Sequence, residues 1–118
     1  MTQELRRYDV LLVDFGQDNI GSEQGGIRPA IIVQNDTGNF FSSTTLVMPL
    51  TKHFKNLNQP THTLIKKGKD NGLVVDSMVL GECLRQISEQ RIKQVLGKIT
   101  DLNEQKEIRR VYAANFGE

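Results

Sequence analysis

The chain has 118 residues, 37% of them hydrophobic, enough for one domain with one modest core and well above the composition of a disordered chain. The 15 Lys and Arg against 14 Asp and Glu leave a net charge of +1, which excludes a polybasic, histone-like protein but leaves local patches open. A lone cysteine, Cys83, excludes an intramolecular disulfide and a cysteine-built zinc site, and no apolar run approaches the length of a membrane span.

The N-terminal residues Met1 to Arg7 lack a hydrophobic signal core, so the expectation is a soluble, cytoplasmic protein whose residues 1–118 form a single domain. The charge is unevenly spread. Residues 1–50 sum to −3, residues 51–70 to +4 and residues 71–118 to zero. The basic middle holds Lys52, Lys55, Lys66, Lys67 and Lys69 and both histidines. It reads either as a surface for phosphate or an acidic protein, or as a solvated loop and hairpin that keep the protein soluble.

In chain order, Tyr8 to Phe15 is rich in β-branched and aromatic residues and predicts a strand. Gly16 to Gly26 is polar and glycine-rich, with the acids Asp18 and Glu23, and predicts a long mobile loop. Pro29 to Gln34 is a short apolar run, as in a strand buried on both faces, and Asn35 to Asn39 is turn chemistry. Thr44 to Leu50 predicts a third strand interrupted at Pro49, and Thr61 to Lys66 a weak fourth. The Asn71-Gly72 pair signals a hairpin into a long fifth strand, Leu73 to Leu84, where Gly81 marks a bulge or a close backbone approach. Ser88 then predicts a capped helix over Glu89 to Lys98, with Ile87 and Ile92 as its hydrophobic staple. Asp101 to Glu104 resembles a capping box for a last helix, with Ile108, Val111, Tyr112 and Phe116 as its buried stripe. The fold class is α+β: an antiparallel, barrel-like sheet with helices at the C-terminal end.

No nucleophile elbow, phosphate-binding glycine loop or dinucleotide fingerprint appears, and His53 and His62 have neither a cysteine nor an intervening carboxylate to complete a metal site. Cys83, at the end of an apolar strand, reads as a buried structural thiol more than a nucleophile. His62 reads as a hydrogen-bonded structural histidine more than a base. One constellation remains. Arg28 follows Gly25, Gly26 and Ile27 and precedes Pro29, at the join between the loop and a buried strand. Proline biases the residue before it to extended backbone, and an arginine held there under a polar loop suits a bidentate clamp on phosphate. The alternative is a surface ion pair with Glu23 or Asp36.

The run Gly21-Ser22-Glu23-Gln24-Gly25-Gly26-Ile27-Arg28-Pro29 and then Gln34-Asn35-Asp36-Thr37-Gly38-Asn39 resembles the signature of the MazF/PemK toxins of bacterial toxin–antitoxin systems. The likeness continues through Leu50-Thr51, Pro60-Thr61-His62 and Asp76 to Glu82, and is strongest to the family's MazF members from Gram-positive bacteria.

The resemblance implies an SH3-like barrel with C-terminal helices, acting as a homodimer. It implies a metal-independent endoribonuclease without a cofactor, cutting single-stranded mRNA through the RNA's own 2′-OH and neutralised by an antitoxin with an acidic, disordered tail. It carries the chemistry onto Arg28 and Thr51, both against the scissile phosphate, with Glu23 either a separate base or a loop acid. Ser22, Glu23 and Gln24 would line the RNA groove, Lys52, His53 and Lys55 would draw in the backbone, and Glu82 and Arg85 would also bind substrate. Where relatives carry an acidic residue, Gln, an apolar residue and Arg, this chain has Glu82-Cys83-Leu84-Arg85. A cysteine hardly hydrogen-bonds a base edge, so the departure bears on base preference and not on the reaction. Two rivals follow from the fold: a gyrase-binding toxin, against which Arg28 and Thr51 argue, and an RNA-binding SH3-like module. The second would present stacking aromatics, yet the aromatic fraction is 6% with no tryptophan.

Overall fold

The computed structural model describes residues 4–17, 20, 21 and 23–117. Seven strands, β1 (Asp9–Asp14), β2 (Ile27–Ile32), β3 (Thr44–Thr51), β4 (His62–Ile65), β5 (Ser77–Leu80), β6 (Arg85–Ser88) and β7 (Ile92–Lys98), form an antiparallel sheet. Its order is β4-β5-β3-β2-β1-β7, with β6 also on β3. Two helices accompany it, α1 (Asp36–Phe41) and α2 (Leu102–Ala114).

The central strands bury both faces. Val10, Ile31 and Met48 lie in one cross-strand row and belong to a cluster closed by Ile108 and Val111 of α2. Leu11, Val13, Ala30, Ile32 and Val47 point the other way, into a second cluster with Leu5, Phe15 and Ile87. This is why Ala30-Ile31-Ile32 reads as an unbroken apolar run. On one edge β3 pairs with β2, and on the other with β6 through Thr44–Val47 and with β5 through Leu50 and Thr51. Pro49 falls between those last two partners, so β3 runs through it without losing a ladder bond.

Several sequence expectations are corrected. The helix over Glu89 to Lys98 is instead one 3-10 turn, Glu89–Arg91, followed by β7. Ser88 does cap, accepting from the Gln90 N–H at 3.2 Å, but only that turn. Two register shifts between β1 and β7 break the alternation, so Ile92, Val95 and Leu96, with Ile99 just past the strand end, have helical spacing although residues 92–98 are a strand. The long fifth strand over Leu73 to Leu84 shrinks to β5, followed by a 3-10 turn over Gly81–Cys83, and β6 starts beyond it. Gly81 is there for close approach: a Cβ would collide with Val111 and the Thr61 carbonyl. The Asn71-Gly72 pair lies within the longer connection from Ile65 to Ser77.

Asn35 to Asn39 is not a simple turn, since the Asn35 side chain accepts from the Gly38 N–H at 2.8 Å and starts α1. Asp101 caps α2 through the Asn103 and Glu104 N–H groups, at 2.8 and 3.0 Å. The capping box is incomplete, because Glu104 turns away to accept from the Lys66 N–H at 3.0 Å. There is one C-terminal helix, and Ile108 and Val111 are its buried stripe; Tyr112 and Phe116 are 44% and 84% exposed. No helix among the described residues is long and apolar enough to cross a membrane.

Candidate active site

The second cluster's face changes chemistry at one end. Side chains alternate along a strand, so on β2 the buried Ile32 and Ala30 are followed on the same side by Arg28. On β3 the same face carries Val47, Pro49 and Thr51, and on β6 it carries Ile87 and Arg85. Ala30 pairs with Pro49, so the register continued by two residues sets Arg28 opposite Thr51. The strands thus carry Arg28 and Thr51 toward one end of this face, where the apolar core gives way to polar side chains, with Arg85 beside Val47 on the same face.

A groove of about 590 Å³ opens at this end, lined by Phe15, Gly16, Ile20, Glu23, Gln24, Pro49, Arg91 and the run Glu82 to Arg85. Arg28 and Thr51 are not part of its lining. Arg28 nonetheless lies near enough to Cys83 for its charge to act on the thiol. Its Nε donates to the Gly25 carbonyl at 3.2 Å, which orients the guanidinium plane and leaves the two terminal nitrogens on the outer edge. Among the described residues no ion pair joins Arg28 to Glu23 or Asp36. Asp36 instead accepts from the Arg7 N–H at 2.6 Å, and Glu23 folds back on the Ile20 N–H at 2.9 Å. The Thr51 hydroxyl accepts from the His53 N–H at 3.1 Å, so its own hydrogen can point elsewhere.

Glu82 is tied into the wall. Its carboxylate accepts from His62 Nε2 at 2.9 Å and from the Thr61 hydroxyl at 3.1 Å. Burial pushes the Glu82 carboxyl up, but the His62 and Thr61 hydrogen bonds and its own backbone N–H outweigh this and hold it below the usual range. Burial likewise works against charge on His62. The Glu82 hydrogen bond and charge, with backbone carbonyl contacts, overcome it and raise the imidazole above 6.5.

Cys83 is half-buried in the groove wall, not sealed in a strand as expected. Burial, with the nearby Glu82 and Glu23 charges, pushes its thiol up, leaving little thiolate at neutral pH. The Arg85 guanidinium stacks 5.4 Å from the Phe15 ring centre.

Of the other expected residues, Glu23 and Gln24 do line the groove, and Ser22 lies outside the described residues, as does Asp18 of the same loop. Lys52, His53 and Lys55 are exposed on the connection after Thr51 and are not part of the lining. Arg91 is a groove residue that sequence reasoning missed. Its Nη1 donates to the Asp14 carbonyl at 3.1 Å, but the helical spacing that follows it hid the strand that places it.

The fold is that of the MazF toxins. The crystal structure of MazF (Form-I) from Deinococcus radiodurans superposes with a TM-score of 0.80 at 19% identity, covering 99% of this chain and 100% of that one. An endoribonuclease in complex with its cognate antitoxin from a mycobacterial species gives 0.75 at 20% identity, covering 96% and 95%. Likeness at such identities speaks for the fold alone. The sequence carries the narrower assignment. The PemK-like, MazF-like toxin of type II toxin–antitoxin systems matches over residues 6–114. Endoribonuclease MazF of Staphylococcus saprophyticus is 43% identical over 97 residues, 82% of this chain and 79% of that protein. The chain belongs to the PemK-like, MazF-like toxin family.

Proposed function

We propose that this chain is a toxin endoribonuclease that cuts single-stranded mRNA at a short base-specific sequence, without a metal or cofactor. The observation that supports the reading is that Arg28 and Thr51 lie on neighbouring strands of one face, each two residues beyond the Ala30–Pro49 pair. The RNA's 2′-OH attacks the adjacent phosphorus; the O2′–P bond forms, the P–O5′ bond breaks, and the ends are a 2′,3′-cyclic phosphate and a 5′-OH. The 2′ proton is lost and the 5′ oxygen gains one. Charge develops on the non-bridging oxygens, where the outer edge of Arg28 supplies a two-pronged donor. Thr51, already accepting from the His53 N–H, turns its hydroxyl hydrogen to the same phosphate. A guanidinium stays protonated, so Arg28 serves the developing charge better than it serves as base, and Glu23 is the candidate carboxylate for proton removal.

Ser22, Glu23 and Gln24 on one side and Glu82 and Arg85 on the other would read bases, while Lys52, His53 and Lys55 attract the backbone. The working unit in this reading is a homodimer acting in the cytoplasm, where mRNA is met. It is silenced by an antitoxin whose acidic, disordered tail covers the groove.

The test is incubation with a long single-stranded RNA in excess EDTA, followed by mapping of the cut ends. Cuts recurring at one short motif, with cyclic phosphate and 5′-OH ends, are expected. Loss of cutting in EDTA with rescue by Mg²⁺, or 5′-phosphate ends, overturns the mechanism. Tight RNA binding without cleavage identifies a binding module, and inhibition of gyrase with RNA left intact identifies a gyrase poison.

A further inference from the structure

We infer that His62 is a positioning residue of the groove: with a proton on each ring nitrogen, it bridges the connection that follows Thr51 to the Glu82 wall. The inference rests on the RNA-cleavage reading above and concerns how the substrate is held.

The geometry leaves the ring little choice. His62 opens β4 and is 4% exposed. Its Nδ1 lies 2.9 Å from the Asn56 carbonyl oxygen and its Nε2 lies 2.9 Å from Glu82 Oε2. A carbonyl oxygen only accepts, and so does an ionised carboxylate, so both ring nitrogens must donate. Only the imidazolium does that. A neutral ring keeps one of the two bonds and sets a lone pair against an oxygen in place of the other.

What the ring joins is functional on both sides. Asn56 belongs to the connection that also carries Lys52, His53 and Lys55, and its φ of 53° lies in the left-handed region that asparagine adopts more readily than most side chains. Glu82 lines the groove. A charged His62 therefore fixes the spacing between the side that attracts backbone and the wall expected to read bases.

The charges around the ring permit this. The 3-10 turn contributes Glu82, and the 52–61 connection contributes Lys55, one residue from the Asn56 contact. The α2 helix brings Arg110, which donates to the Pro60 carbonyl at 2.9 Å and the His62 carbonyl at 3.2 Å. Arg110 is itself paired with Glu107 at 2.8 Å. Leu80, the cross-strand neighbour on β5, is uncharged.

The test has two arms on the full chain. In the first, ¹⁵N spectra of the imidazoles, without RNA, are followed from about pH 5.5 to about pH 8.5. His62 is expected to show two protonated nitrogens near neutral pH and to titrate above the ordinary histidine value, with the midpoint falling in Glu82→Gln. In the second, KM and kcat are measured over the same range with a short RNA bearing the mapped cleavage motif. KM is expected to rise about tenfold across the His62 midpoint, the loss of one charge-assisted hydrogen bond, while kcat stays level. His62→Gln should show the high KM at every pH and no step. A single neutral tautomer near pH 6, or a KM flat through the midpoint, overturns the inference. Should His62→Gln fail to fold, the wild-type titration and KM profile decide on their own. A protein that cuts no RNA at any pH defeats the cleavage reading, whereas the spectra still report on the bridge.

Discussion

At the scale of single residues, Arg28 carries most of the weight of the proposed reaction. Its backbone is set by the β1 pairing and by Pro29, and its Nε is held by the Gly25 carbonyl, so the side chain is oriented before RNA arrives. A donor aimed at developing charge acts on the transition state more than on the ground state. Arg28→Ala should therefore lower kcat by a hundred- to a thousand-fold, about 3–4 kcal/mol, while circular dichroism and RNA binding stay near wild type. Arg28→Lys should recover little, because an ammonium keeps the charge and loses the fork. Cleavage by folded Arg28→Ala within a few-fold of wild type would return Arg28 to a structural role and move attention to Thr51 and Glu23.

At the scale of elements, the sequence was readable wherever one period governed a segment. The β2 run, the Asp101 cap and the Ile108 and Val111 stripe all came through, because each depends on neighbours in the chain. The failures lie where a distant contact overrides local pattern. β7 has helical spacing because register shifts against β1 reset its alternation. Nothing within residues 89–98 reports that partner. The site was legible in the same uneven way. Arg28 stood out through its glycines and proline, whereas Thr51 looked like any strand end and entered only through the family resemblance. Arg91 and the His62–Glu82 pair depend on contacts 77 and 20 residues apart, invisible to spacing. Gly97 supplies the element-scale prediction. A Cβ there would collide with the backbone of Asp70 and Asn71, against which β7 is seated by the Lys98 N–H bond to the Asp70 carbonyl at 2.7 Å. Backbone cannot swing aside as a side chain can, so Gly97→Ala should cost about 1–3 kcal/mol, read as a lower urea midpoint with an unchanged slope. An unchanged midpoint would mean that β7 is not anchored there.

For the whole molecule, charge acts twice. If Lys52 and Lys55 contact backbone phosphate, binding to uncleavable RNA should weaken with salt by a log–log slope of about −0.7 per phosphate neutralised. Replacing both by glutamine should flatten that slope equally for all RNA sequences; an unchanged slope would leave them as solvating residues. Stability should also follow pH. The raised His62 value gives stabilisation that is complete below 6.5 and lost as pH rises through its folded value. The lowered Glu82 value gives stabilisation present above 4.5 and lost as pH falls through its folded value. Burial raises the Asp9 carboxyl and works against Glu82 on the acid side, so the alkaline limb is the cleaner test. The urea midpoint of wild type should fall between mildly acidic and mildly alkaline pH, and that fall should vanish in His62→Gln. A fall of equal size in both proteins would assign it to other groups.

The three partners of β3 have a consequence for how the protein comes apart and how it can change. With β2 on one edge and β6 and β5 on the other, loss of that strand splits the sheet into β2-β1-β7 and β4-β5 and leaves β6 unpaired, so its amides should be among the slowest to exchange with solvent. Thr51 ends this slowest-exchanging strand, while the residues just beyond it, from Lys52 onward, are exposed and stand outside that cooperative unit. In the proposed reading, substitutions can therefore accumulate on the connection, altering how strongly the RNA backbone is drawn in, without drawing on the stability of the strand that carries Thr51.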